Sequence, residues 1–286
     1  MRRSASEGGW ALVSVLWGLV IISLIAAVML SSARVSYRQA AFSVAQAQRD
    51  ALTEAATART VLALLDSRVD HRWRIDGVPQ PWVFNGRPMQ ISVEDEGGKI
   101  DLNAAGAPAI QQLLNATGVG GIALADKILD WRDQKGDLHR LNGATGDDYI
   151  AAGRDYHPRG GSLQSVDELK LVLGMTTELY DRIRPALTAY SGRSKVNLAT
   201  APADVLMAVG GQNQAMAAAT IAARQSVSAP EGFQGQPIIN GVVASGIPID
   251  GWSFAIHVTI PDEGHIQNRI VRLTPKASTP FVYQEM

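Results

Sequence analysis

Cysteine is absent from the 286 residues, which excludes disulfides, cysteine-bound zinc and thiol nucleophiles together. Charge of one sign is not in excess either: 26 Lys+Arg stand against 27 Asp+Glu. A general nucleic-acid binder shows a basic excess or a basic stripe, so this balance argues against that class. Catalytic constellations are also missing. The five histidines (His71, His139, His157, His257 and His265) are scattered without metal-ligand spacing, and there is neither a Gly-x-Ser-x-Gly elbow nor a phosphate-binding P-loop. Acidic pairs such as Asp167-Glu168 fall where a helix start is expected, and capping explains them. The expectation is a protein that is not an enzyme.

Two further absences organise the N-terminal region. No charge occurs from Trp10 to Leu30, and no Gly or Pro occurs from Leu19 through Asp76. A helix needs about 20 apolar residues to cross a bilayer, and the first run supplies them. A secretory signal has an apolar region of only about 7–15 residues followed by a small-x-small cleavage site. Here the run is longer, and Ala26-Ala27 leads into Val28 and Met29. A retained membrane helix is therefore preferred over a cleaved signal. Beyond it, Val35, Phe42, Ala45, Leu52, Ala56, Leu62 and Leu65 recur mostly at steps of three, four or seven, as in an amphipathic helix. One continuous helix from about Trp10 to about Leu65 is expected, its first half in lipid and its second packed on a soluble domain. Trp10 and Trp17 belong to the membrane segment, with Trp10 at its edge. Trp73, Trp82, Trp131 and Trp252 read as core or interface anchors.

The texture then alternates. WRIDG, PWVFNG and MQISVEDEGGKIDL, between Trp73 and Leu102, are short β-prone runs broken by glycines and prolines. From Ala104 to about Arg224 the pattern is helical. WSFAIHVTIP, IQNRIVRLTP and FVYQ then restore strand signals, with a hairpin turn offered at Pro261–His265. Long helix, strands, helical block, strands: the simplest architecture is an α+β domain carrying an inserted all-helical subdomain. The block repeats itself. KIDLNAA at 99–105 is echoed by KVNLATA at 195–201, each followed by a proline and an apolar helix, a glycine turn and a second helix. A third helix–turn–helix is legible at Glu168–Leu173, Gly174-Met175 and Leu179–Ile183.

Two features admit a ligand. Helix-hairpin-helix units bind DNA phosphate through backbone N–H groups at a Gly-x-Gly turn, and Gly118-Val119-Gly120 fits such a turn. The acids Asp126, Asp130 and Asp133 offset Lys127 and Arg132 beside it, and the other two turns lack Gly-x-Gly. A structural hairpin is the preferred reading, and a membrane-anchored helix-hairpin-helix DNA-binding protein is the alternative. The second feature is a carboxylate cluster: Asp130, Asp133, Asp137, Asp147 and Asp148 around a loop with Gly136, Asn142, Gly143 and Gly146. Calcium takes six to eight oxygens from loops of this sort, although the EF-hand spacing is not matched. A solvated acidic loop, with Asp147 or Asp148 capping the next helix, stands beside that reading.

The combination resembles one family, the type II secretion system minor pseudopilin K. The stretches that carry the resemblance are GGWALVSVLWGLVIISLIAAV, GGKIDLNAA, ILDWRD, Gly143-Ala144 with Asp147-Asp148-Tyr149, SVDELKLVLGM and KVNLATAPADVL. They cover most of the chain in family order. The resemblance implies a pilin-like fold, with a long N-terminal helix packed on a small antiparallel sheet and a large inserted helical subdomain containing helix-hairpin-helix-like repeats. It implies a leader at 1–9 removed by prepilin peptidase after Gly9, leaving Trp10 as an N-methylated terminus. The remaining divisions are the helix at 10–66 (membrane-spanning over 13–30), sheet strands at 67–102, the insertion at 103–190, a second repeat copy or helical connection at 191–246, and C-terminal strands at 247–286. It implies a single pass through the bacterial inner membrane, a periplasmic body, and other minor pseudopilins, the secretin or exported cargo as partners, with no nucleic acid. The family also draws calcium ligands from the acidic region, so calcium on Asp133, Asp137, Asp147 and Asp148 is the one cofactor implied. Lys135 and Thr145-Gly146 stand where family members often carry further acids.

One position bears on the place in the fibre. Most pilin-like subunits carry Glu five residues into the mature chain, where it neutralises the terminal ammonium of a neighbour within lipid. Counting from Trp10, the fifth residue is Ser14. A subunit lacking that carboxylate cannot compensate a subunit above it, so Ser14 favours the tip. The plainer reading is that Ser is tolerated in a helix bundle.

Overall fold

The computed structural model describes residues 7–66, 73–118, 121–133, 139–225, 238–239, 242–243, 251–261 and 264–284. It divides into two units, Met1–Glu54 and Ala55–Met286. The elements begin with α1 (Glu7–Leu64), β1 (Gln80–Phe84), β2 (Arg87–Asp95) and β3 (Ile100–Asp101). Then come α2 (Ala107–Ala116), α3 (Gly121–Arg132), α4 (Gly146–Ala151), α5 (Thr177–Ile183), β4 (Leu187–Thr188), α6 (Ala203–Ala208) and α7 (Gln214–Gln225). The chain closes with β5 (Ile238–Ile239), β6 (Val242–Val243), β7 (Ser253–Ile260), β8 (His265–Leu273) and β9 (Phe281–Gln284).

The first unit is the leading part of α1. With no proline and no glycine beyond Gly18, nothing interrupts the helix, and beyond its first turn the backbone groups of the apolar stretch pair within the helix, as lipid demands. Its large apolar side chains from Trp10 to Leu30 are all at least half exposed, and its most apolar stretch has a mean hydropathy of 2.7. Apolar surface on that scale is unfavourable in water and favourable in a bilayer. The helix is long and apolar enough for a single-pass membrane anchor.

Within the second unit, the end of α1 buries Ala56, Thr57, Thr60, Val61, Ala63 and Leu64, the recurrent spacing of one helix face. This corrects the expected stripe. Leu62 is 68% exposed, because it lies about 100° round the helix from Val61. Threonines take its place; the Thr60 hydroxyl donates to the Ala56 carbonyl at 2.8 Å, which removes the cost of burying it.

Five antiparallel strands run in the order β1-β2-β7-β8-β9. The β1–β2 hairpin turns at Asn85-Gly86, both at positive φ, as a two-residue loop requires. Met89, Ile91 and Val93 of β2 alternate into the core beside Phe254, Ile256 and Val258 of β7. Since β2 and β7 are neighbours in the sheet, all helices from α2 to α7 are carried on the connection between two adjacent strands. The parallel pair Ile100↔Leu187 and Asp101↔Thr188 brings the entrance of the α2–α5 segment beside its exit.

The helical block has its own apolar core, with Ile110, Leu114, Ile128, Leu129, Leu169 and Val205 almost wholly enclosed. Helix α2 packs on α3, and α6 on α7. The helix expected at Glu168–Leu173 is instead a 3₁₀ turn over Val166–Leu171, short enough to be ended by extended Val172. The region expected as helical to 246 includes the paired strands β5 and β6.

Candidate functional site

Three places carry the chemistry anticipated from sequence. The first is the N-terminal helix. Gly9 and Trp10 both lie within α1, and the Trp10 ring is 82% exposed. Ser14 donates its hydroxyl to the Ala11 carbonyl at 2.9 Å, so its only polar group is satisfied inside the helix. Ser14 needs no partner from another chain.

The acidic loop is the second. Asp126, Asp130 and Asp133 sit on α3 or directly after it at helical spacing, so their carboxylates share one side. Arg140 reaches back across them. Its Nη1 donates to Asp130 Oδ1 at 2.6 Å and its Nη2 to Asp133 Oδ2 at 2.5 Å. The Arg140 backbone N–H adds a bond to Asp130 Oδ2 at 3.3 Å. Asn142 donates its Nδ2 to Asp126 Oδ2 at 3.0 Å. Partial burial pushes the Asp133 carboxyl up, but hydrogen bonds from Arg140 and Arg132 outweigh it and hold it below the usual range. Asp148 is placed as a cap: its Oδ2 accepts from the Thr145 backbone N–H at 2.7 Å, while Thr145 Oγ1 accepts from the Asp148 N–H. Asp147 is exposed in the first turn of α4, and Asp137 lies outside the described residues. Among the described residues no three His, Asp or Glu side chains gather as a metal cage, and the inner faces of Asp126, Asp130 and Asp133 are turned to Arg140 and Asn142. The described acids, as arranged, do not direct at one point the six to eight oxygens that a calcium ion takes.

The hairpin turn is the third. Gly118 has φ +79°, and the N–H of Gly121 already donates to Asn115 Oδ1 at 3.0 Å. One of the donors that a phosphate would use is therefore occupied from within; Val119 and Gly120 lie outside the described residues.

Sequence reasoning missed the buried acids that join the sheet to the helical block. Asp101, fully buried, accepts from the N–H groups of Asn103 and Gly192, both at 2.7 Å, from Ala104 at 3.1 Å and from Ser191 Oγ at 2.8 Å. Asp95 accepts from Gly97 N–H, Asn197 Nδ2 and Thr200 Oγ1, so the second repeat copy is fastened to the end of β2 at this one carboxylate. Glu96, also buried, accepts from Lys99 Nζ at 2.8 Å and from the Thr188 hydroxyl. Asp76, Glu94, Asp95, Lys99 and Arg224 contribute to a cleft of about 270 Å³. Each of its acids already has a partner: Arg74 for Asp76, Lys99 for Glu94, and the three donors named above for Asp95. For Asp101 the available signal was the repeat itself, since the third residue of each copy, Asp101 or Asn197, is polar between apolar neighbours.

Comparison with known proteins follows the same lines. Residues 91–192, from within β2 to just beyond β4, match the family model described as Type II secretion system (T2SS), protein K. Among solved structures, the fold matches a chain of the GspK-GspI-GspJ complex from the enterotoxigenic Escherichia coli Type 2 Secretion System. The TM-score is 0.56 at 16% identity, covering 84% of this chain and 96% of that one. No curated protein sequence matches significantly.

Proposed function

We infer that this chain, a type II secretion protein K by its matched domain and its fold, works as a minor pseudopilin: a structural subunit of a secretion fibre rather than an enzyme. The observation that carries the reading is the pairing of that fold, over 84% of the chain, with a leading helix whose apolar side chains all face outward. Such a helix is suited to lie first in a membrane and then among the helices of a fibre.

In finer detail, prepilin peptidase removes 1–9, the span over 13–30 holds the subunit in the inner membrane, and the body from Ala55 onward lies in the periplasm. Other minor pseudopilins join it, as the matched structure contains GspI and GspJ beside GspK. Ser14 and the bulk of the helical block favour the fibre tip, from which the subunit initiates assembly and faces the secretin or cargo. The α2–α3 and α6–α7 pairs act as structural helix-hairpin-helix-like units. The occupied N–H of Gly121 favours this over phosphate binding.

Intact mass of the chain purified from membranes, with and without co-expressed prepilin peptidase, tests the reading. Loss of Met1–Gly9 with one methyl group on Trp10, only when the peptidase is present, is expected. An uncut chain in both samples overturns the pseudopilin assignment and brings forward the membrane-anchored DNA-binding alternative, which predicts salt-sensitive DNA binding.

A further inference from the structure

We propose that Arg140 is a built-in cation that takes the place of a metal ion among Asp126, Asp130 and Asp133, so that the end of α3 and residues 139–143 are held together without calcium. Three carboxylates on one side of a helix repel one another, and water is largely excluded from two of them, Asp126 and Asp130. Something positive must stand among them. The Arg140 guanidinium does: its two terminal nitrogens divide between Asp130 and Asp133, and the planar fork suits two carboxylates better than a single ammonium would. Asn142 serves Asp126 with a neutral amide, and Arg132 Nε adds a longer contact to Asp133 at 3.2 Å, so Arg140 is the cation that reaches the buried Asp130 and joins it to Asp133.

The closure is tight as well as charged. A Cβ added at Gly143 would fall 1.6 Å from Asp130 Oδ2, so the loop backbone lies directly against that oxygen. Asp130 thus has Arg140 on one oxygen and loop backbone on the other, with only 4% of its side chain exposed. Fastening the loop at Arg140 and Asn142 leaves Leu141 between them, 97% exposed. The inference rests only on contacts within this loop and does not depend on the secretion reading.

Thermal unfolding of the full chain in detergent, followed by tryptophan fluorescence, is the test. The wild type is expected to melt at the same temperature in millimolar calcium and in EGTA. Arg140→Gln should lower the midpoint by roughly 5–10 °C, because it strands a buried carboxylate. Asp133→Asn should lower it less, and the double variant should lose less than the two single drops added together, as one shared interaction requires. Should Arg140→Gln fail to accumulate, Arg140→Lys carries the comparison; it keeps the charge but loses the fork, and a smaller drop is expected. A wild-type midpoint raised by calcium, additive single drops, or Arg140 variants as stable as the wild type would each overturn the proposal.

Discussion

Glu94 stands between two cationic groups of different strength, and the pair gives the second unit a pH dependence. Lys99 Nζ lies 3.0 Å from Glu94 Oε2, and His257 Nε2 lies 3.7 Å from Oε1. The imidazole, opposed by burial and assisted by Lys99, holds the Glu94 carboxyl down to about 2 from its ordinary 4.5. Reciprocally, Glu94 raises the His257 pKa above 6.5, against the effect of burial; Asn268 Oδ1, 2.7 Å from Nδ1, adds to the rise and Lys99 subtracts from it. A raised histidine stabilises fully below its unfolded pKa of about 6.5 and loses that contribution as pH climbs through the folded value. A depressed carboxylate stabilises fully above 4.5 and loses its share as pH falls towards 2. Stability from this pair is therefore greatest between about 4.5 and 6.5. Two-fifths of the Glu94 side chain meets water, which limits the pair to about 1 kcal/mol or less. The melting temperature should fall by about 2–4 °C between about pH 6 and pH 9 in the wild type. It should stay flat over that range in His257→Asn. None of this was legible in the sequence, because Glu94 and His257 are joined only by the pairing of β2 with β7.

At the scale of elements, the sequence was most legible where one period governs a long stretch. The absence of Gly and Pro beyond Gly18, together with an apolar spacing that ends at Leu65, predicts α1 almost to its last residue, and β-prone runs between turn signals predict β2, β7 and β8. It was least legible where helices are a turn or two long. The 3₁₀ turn at Val166–Leu171 has helical composition, yet its length is decided by packing around Leu169 rather than by propensity. The expected face of α1 was displaced for a related reason: threonines that satisfy their own hydroxyls pass as polar in a pattern of apolar residues. The repeat was visible, and Asp101 and Asn197 cap its turns as their residue types suggest, but the burial of Asp101 against the distant Ser191 and Gly192 was not. Asp101 closes β3, β4 and the start of α2 around one buried carboxylate with four donors. Asp101→Ala leaves those donors buried and unpaired, and should cost roughly 3–5 kcal/mol. Urea unfolding should show an earlier midpoint with little change in slope, whereas a surface role for Asp101 would leave the midpoint in place.

For the whole molecule, the question is where in a fibre this subunit would stand, and Ser14 offers a way to ask it. The serine hydroxyl is bonded to Ala11 within its own helix, so position 14 of the wild type carries no side-chain group that seeks a partner. An ionised carboxylate introduced there would be costly in lipid, roughly 2–4 kcal/mol at a span's centre and less towards its end. Its relief depends on position. Within the fibre, the terminal ammonium of the next subunit would neutralise it; at the tip there is no next subunit, and the charge stays unpaired. The two placements thus give Ser14→Glu opposite outcomes. At the tip, the substitution should lower the number of pseudopili per cell and the secreted protein in the medium several-fold, while Ser14→Ala behaves as the wild type. Within the fibre, it should be neutral or should increase the amount of this chain recovered with the major subunit. Counting fibres by immunofluorescence alongside that recovery separates the cases, and a Ser14→Glu strain that assembles and secretes normally would remove the argument for the tip.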